Sequence, residues 1–170
     1  FQDLNGVKQK SKALMPSIYA EWKSRDRVRF GRSGFKLFAK LRGADRSLGS
    51  DISFLQAHLK AHYIMPLGSD NRFIIRGELG HTYMREGDLN RLPPSIRFYT
   101  GGDHTVRGYS YDSIGEHDYR GRVAGGKRLA VISGEFEHRV SKDFAGALFV
   151  DAGDAYNGSR PSFKVGAGAG

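Results

Sequence analysis

The sequence predicts an all-β chain of antiparallel, up-and-down strands forming part of a transmembrane β-barrel. Three observations carry that expectation. About seven stretches alternate apolar and polar residues with period two, the signature of strand rather than helix. Most run to about ten residues or more, as a membrane-spanning strand requires, whereas a globular strand averages about 5–6. The 23 Gly and 12% aromatic residues suit sheets and turns, and compact helical domains rarely tolerate so much Gly. A soluble sandwich is the competing architecture, but its strands are shorter.

Composition narrows the function classes. The 170 residues carry 27 Lys plus Arg against 18 Asp plus Glu, a formal charge of +9, with a mean hydropathy of −0.49. No run of about 18 apolar residues is present, so no transmembrane helix is expected. Phe1 in place of an initiator Met, with no signal segment after it, points to a trimmed chain. The absence of Cys excludes a disulfide scaffold, a thiolate zinc site and a Cys nucleophile, and leaves the compartment open. The charge invites nucleic acid or an anionic membrane. Because the cations alternate with apolar residues along long strands, no nucleic-acid partner is expected.

The strands follow in order. Residues 14–24 set Ile18, Ala20 and Trp22 against Ser17, Tyr19, Glu21 and Lys23. In residues 34–43, Phe35, Leu37, Ala39 and Leu41 alternate with Lys36, Phe38, Lys40 and Arg42. Residues 53–65 are the clearest, with Leu55, Ala57, Leu59, Ala61, Tyr63 and Met65 opposing Gln56, His58, Lys60 and His62. Residues 72–83 set Phe73, Ile75 and Leu79 against Arg72, Arg76 and Glu78. The pattern returns over 127–140, 145–156 and 163–170, with turn signals such as Gly68-Ser69-Asp70-Asn71, Ser141-Lys142-Asp143 and Asn157-Gly158-Ser159 between runs. Trp22, Tyr63, Tyr83, Phe98, Tyr99 and Tyr156 are expected at strand ends, as interfacial girdles.

Residues 85–126 break the rhythm. Unstructured loops rarely exceed about 12–15 residues, so this one is either functional or disordered. The run Leu92-Pro93-Pro94-Ser95-Ile96-Arg97-Phe98-Tyr99 holds too many large apolar groups for a solvated tail. The loop is therefore expected to fold back into the lumen of a wide barrel. Its centre, from Thr100-Gly101-Gly102-Asp103 to Val106-Arg107-Gly108-Tyr109, reads in two ways. Both ends are ordinary turn chemistry. Alternatively, Arg107 is presented to carboxylates on the wall, where its planar fork binds bidentately and cannot lose its charge.

Parity supplies the acceptors. Glu135 shares a face with Ser133 and Glu137, opposite Ile132 and Phe136, and Asp151 lies opposite Leu148, Val150 and Ala152. Both acids thus point away from the lipid side, where a carboxylate would be costly. Each alone reads equally well as a solvated luminal charge.

The segment from Arg97 to Tyr109, with Gly125-Gly126, Ser133-Gly134-Glu135-Phe136 and Phe149-Val150-Asp151-Ala152-Gly153, resembles the C-terminal surface-antigen barrel of the BamA/TamA superfamily. Leu92-Pro93-Pro94-Ser95-Ile96-Arg97-Phe98 and Ser110-Tyr111-Asp112-Ser113-Ile114-Gly115 are most similar to the TamA branch. Arg32-Ser33-Gly34-Phe35 resembles the family's Thr-Arg-Gly-Tyr strand entry, departing at Ser33 and Phe35. The resemblance implies a sixteen-stranded barrel whose loop folds inside, with Arg107 meeting Glu135 and Asp151 and Gly101, Gly102 and Gly108 allowing its turns. It implies that residues 1–170 are a partial C-terminal barrel domain. About seven further strands and periplasmic POTRA domains would lie upstream, and two strands downstream.

The function so implied is insertion or translocation of proteins such as autotransporters, in the outer membrane of a Gram-negative bacterium. Outer-membrane lipid, client β-barrel or secreted proteins, and an inner-membrane-anchored partner of the TamB type would be its partners. In this family the barrel works through a weak seam between its first and last strands, beside a thinned bilayer. A passive pore or two-partner secretion channel, and a barrel fused to a patatin-like phospholipase, remain alternatives of the same superfamily. No catalysis, cofactor or metal is expected of these residues. His58 and His62 would lie about 13 Å apart on one strand face, too far to share an ion. The Gly-Gly pairs lack a following Lys-Ser/Thr, and no G-x-S-x-G elbow is present.

Overall fold

The computed structural model of the protein describes residues 10–25, 33–85 and 88–170. Seven strands form one antiparallel sheet in chain order: β1 (Ser17–Arg25), β2 (Gly34–Ala44), β3 (Phe54–Leu67), β4 (Asn71–Met84), β5 (Arg128–Arg139), β6 (Ala145–Tyr156) and β7 (Lys164–Ala169). Arg32 of the strand-entry motif lies outside the described residues.

Strand β1 starts three residues later than alternation alone predicts. Pro16 has no N–H for the ladder. The residues ahead of it bond instead to the β2–β3 connection, with Lys12 N donating to Asp51 at 2.5 Å and Leu14 N to Ser50 at 3.0 Å. Strands β3 and β4 run to 14 residues each and meet in a tight turn at Gly68, where φ is 79°.

The register carries each face across the sheet without a break. Phe35, Tyr63 and Ile75 lie side by side, as do Phe73, Phe136 and Leu148. Among the described residues nothing covers this apolar face: Ile18, Trp22, Leu79, Ile132, Leu148 and Val150 are all more than half exposed. The polar face is the buried one, with Asp151 at 0%, Thr82 at 1% and Ser133 at 2% exposure. A soluble sandwich would bury the opposite face. A continuous apolar surface backed by a buried polar one is the pattern of a barrel wall in lipid.

The long β4–β5 connection lies on that polar face. Three isolated bridges, Phe98–Gly126, Thr100–Ile114 and His117–Val123, give it a small antiparallel framework of its own. Two apolar clusters anchor it. Phe98, Val106 and Ile114 pack with Leu129, Val131 and Ala155 of the sheet, and Leu92 and Ile96 pack with Ala44, Ile52 and Phe54. The second cluster is tied to the β2–β3 connection by Arg46, which grips Asp88 through two hydrogen bonds of 2.9 and 3.0 Å.

The girdle expectation needs one correction. Trp22, Tyr63 and Tyr83 do project from the apolar face, and Tyr156 closes β6. Phe98 and Tyr99 do not belong with them. They sit in the loop, where Phe98 is 7% exposed and the Tyr99 hydroxyl donates to Ala124 O at 3.1 Å. Both lie well past the end of β4 at Met84, and Phe98 serves as an apolar anchor under the loop.

Candidate functional site: a loop clamped to the polar wall

The loop reaches the wall through its Val106-Arg107-Gly108-Tyr109 turn. Gly101 and Gly102 have φ of 107° and 104°, and Gly108 has 89°, conformations that side-chain-bearing residues rarely adopt. The first two glycines start a tight reversal, closed by Gly102 N to Val106 O at 3.2 Å and by Thr105 N to Gly102 O at 3.0 Å. Val106 is fully buried in the cluster beneath. Tyr109 packs against that cluster and donates its hydroxyl to Val165 O at 3.4 Å.

This turn delivers the Arg107 side chain to β5 and β6. Its Nε and Nη2 donate to the two oxygens of Asp151 at 2.7 and 2.9 Å, and Nη1 donates to Glu135 at 2.5 Å. The Arg107 backbone N–H adds a bond to Asp151 at 3.0 Å. The guanidinium also stacks on the Phe149 ring, 3.5 Å from its centroid. Hydrogen bonds donated to Asp151, opposed by partial burial and reinforced by Glu135, hold the Arg107 proton more firmly than usual. Arg107, Glu135 and Asp151, named from the sequence, therefore meet in one cluster.

Further residues complete the site. Arg76, on β4, donates to Ser133 at 3.0 Å and Glu135 at 3.3 Å, and stands 4.0 Å from Asp151. Ser133 donates to Asp151 at 2.5 Å. Two guanidinium groups thus face two carboxylates, which balances charge in a region water barely reaches. The wall also leaves room for the loop's backbone. A Cβ on Gly153 would sit 2.7 Å from the Val106 methyl, and one on Gly166 only 2.0 Å from Arg107 O. Parity could have located both seats, since each is a glycine on the polar face, a mark of close backbone approach.

Arg97 does different work at the loop's base. At 6% exposure it donates to Leu92 O at 3.0 and 2.7 Å and to Ala124 O at 3.1 Å, stapling the two arms of the loop. Replacing it by Leu would strand these carbonyls at about 1–3 kcal/mol each. Amide hydrogen exchange should then accelerate over residues 92–100 and 124–126 while β3 stays protected. Unchanged exchange would show that Arg97 is no staple. Near the loop tip, Asp118 accepts from the N–H groups of Arg120 and Arg122 at 2.8 and 2.9 Å. Those bonds, led by the one from Arg122, hold its carboxyl below the usual range.

The His58–His62 pair does not converge. His58 contacts Glu78 at 2.6 Å, while His62 lies between Lys36 and Arg76 in register.

A seven-stranded antiparallel wall, apolar on one face and carrying a folded loop on its polar face, is the architecture of a transmembrane β-barrel wall. In agreement, the Omp85 superfamily domain matches residues 4–170, and the chain belongs to that superfamily. Its members are outer-membrane barrels that act on client outer-membrane proteins in insertion and translocation, a non-enzymatic role.

Proposed function

We propose that the chain is part of the barrel of a TamA-like assembly factor, which inserts or translocates autotransporter-type clients across a Gram-negative outer membrane. Its loop is locked in the lumen by Arg107 on Glu135 and Asp151, and residues 1–170 are a partial C-terminal barrel domain. Upstream strands and POTRA domains, two strands downstream, and an inner-membrane-anchored partner of the TamB type complete the machine. The observation that carries this reading is the clamp itself. A loop of this length, seated on apolar clusters and fixed to the polar wall by one charged cluster, is a lumen-side element whose tip is freed when that cluster is broken. In the full-length protein, the experiment is autotransporter display at the cell surface with the clamp intact and broken. Altered conductance with unchanged display would replace the assembly role by that of a passive pore.

Membrane placement has its own test. Arg at Ile132, on the outward apolar face, should cost about 2–4 kcal/mol of folding stability in lipid vesicles if it lies near the bilayer midplane. Arg at Ala147, on the polar face and in register with Glu137, should be tolerated. Equal tolerance of both would take the apolar face out of lipid.

A further inference from the structure

Cross-strand register places Lys23 opposite Lys36, Lys36 opposite His62, and His62 opposite Arg76, in one row over the polar face of β1–β4. Within the row, Lys23 and Lys36 are like charges directly opposite each other, a pairing that destabilises a sheet. Local acids relieve it only in part. Glu21 pairs with both Lys23 and Lys36, and Glu78 is held by His58 and Lys60. Further along, Arg76 spends Nη2 on the clamp, while its buried Nε and the buried Nε2 of His62 have no hydrogen-bond partner among the described residues. Lys36, Lys60, His62 and Arg76 line a recess of about 450 Å³, bordered on the loop side by His104 and Thr105.

We propose that Lys36, His62 and Arg76 form an oxyanion site on the lumen wall beside the clamped loop. Its ligand chemistry is that of a carboxylate or a phosphate: acceptor oxygens for the Arg76 Nε and the His62 ring, beside the ammonium of Lys36. The site rests on the luminal placement of the polar face. Because Arg76 also holds Ser133 and Glu135, an anion bound here touches the residue that supports the clamp from the β4 side.

The chain contains no Cys, so Phe38→Cys places a single thiol of this chain in the recess. In the full-length protein in lipid vesicles, an anionic methanethiosulfonate should label it about tenfold faster than a cationic one. Lys36→Gln and, separately, Arg76→Gln should each lower that ratio toward one. Protection by inorganic phosphate alone assigns the site to free phosphate. Protection by hexaglutamate alone, or by both, assigns it to carboxylates or to oxyanions in general. Equal labelling rates, or no protection by either probe, would overturn the oxyanion site while leaving the luminal face intact. A thiol that neither reagent reaches, with Leu37→Cys behaving identically, would overturn both.

Discussion

Replacing Arg107 by Ala is expected to release the loop from the wall. Asp151 is fully buried and, among the described residues, would keep Ser133, the backbone N–H of residue 107 and a guanidinium 4.0 Å away, none of which replaces the two-pronged guanidinium bond. Stripping one partner from a buried ion pair costs about 3–5 kcal/mol, because the remaining charge is stranded rather than merely unpaired. Arg76 stands 4.0 Å from Asp151 with its Nη2 on Ser133 and Glu135, so it does not replace the two-pronged bond. Amide exchange should rise over residues 98–115, and the barrel should lose part of its heat-resistant compactness. Client assembly should fall with it. Arg107→Lys should restore little, because an ammonium cannot reproduce the two-pronged bond to Asp151. In a double-mutant cycle, Asp151→Asn and Glu135→Gln should each couple strongly to Arg107→Ala. Simple additivity, or a variant with normal exchange and assembly, would show that the cluster does not hold the loop.

The second large effect removes no charge. Gly166→Ala would place a methyl 2.0 Å from Arg107 O, a backbone atom that cannot swing aside. Either β7 or the turn must move, and overpacking of this kind costs about 1–3 kcal/mol, more where backbone is the obstacle. The expected phenotype copies that of Arg107→Ala although all four charged groups remain. Gly146→Ala, with open space around the new methyl, serves as the control and should be neutral. If Gly166→Ala kept the loop protected, close backbone contact would not be part of the docking.

These two tests also mark where sequence reading succeeds and where it stops. Strand faces were legible because the strands pair residue for residue with no insertion to break period two, and β6 runs over the residues that alternation marks, 145–156. The meeting of Arg107 with Glu135 and Asp151 was within reach for a similar reason. Parity fixes which way an acid points, and a motif fixes which loop residue approaches it. The Arg76 contribution was hidden, because alternation places it on the polar face but says nothing of which strand lies beside it. Only the β4–β5 register, with Arg76 opposite Ser133, brings it to the cluster. Phe98 failed for a different reason. An aromatic before a glycine run looks like a girdle residue until the loop's fold supplies a seat for it against Gly80, where an added Cβ would lie 2.5 Å from the ring.

The clamp joins residues far apart in the chain. Arg107 lies 28 residues before Glu135 and 44 before Asp151, and its backbone rests on Gly166, later still. Contacts this far apart in sequence carry a loop-closure entropy that the finished wall must repay. The complete seat of Arg107 exists only where β5 is paired with β4, β6 with β5, and β7 with β6. A strand slipped by one residue would turn Glu135 or Asp151 outward and leave the arginine without its acceptors. The loop is in this sense an inspector of its own wall: it settles only on strands laid down in the right order and register.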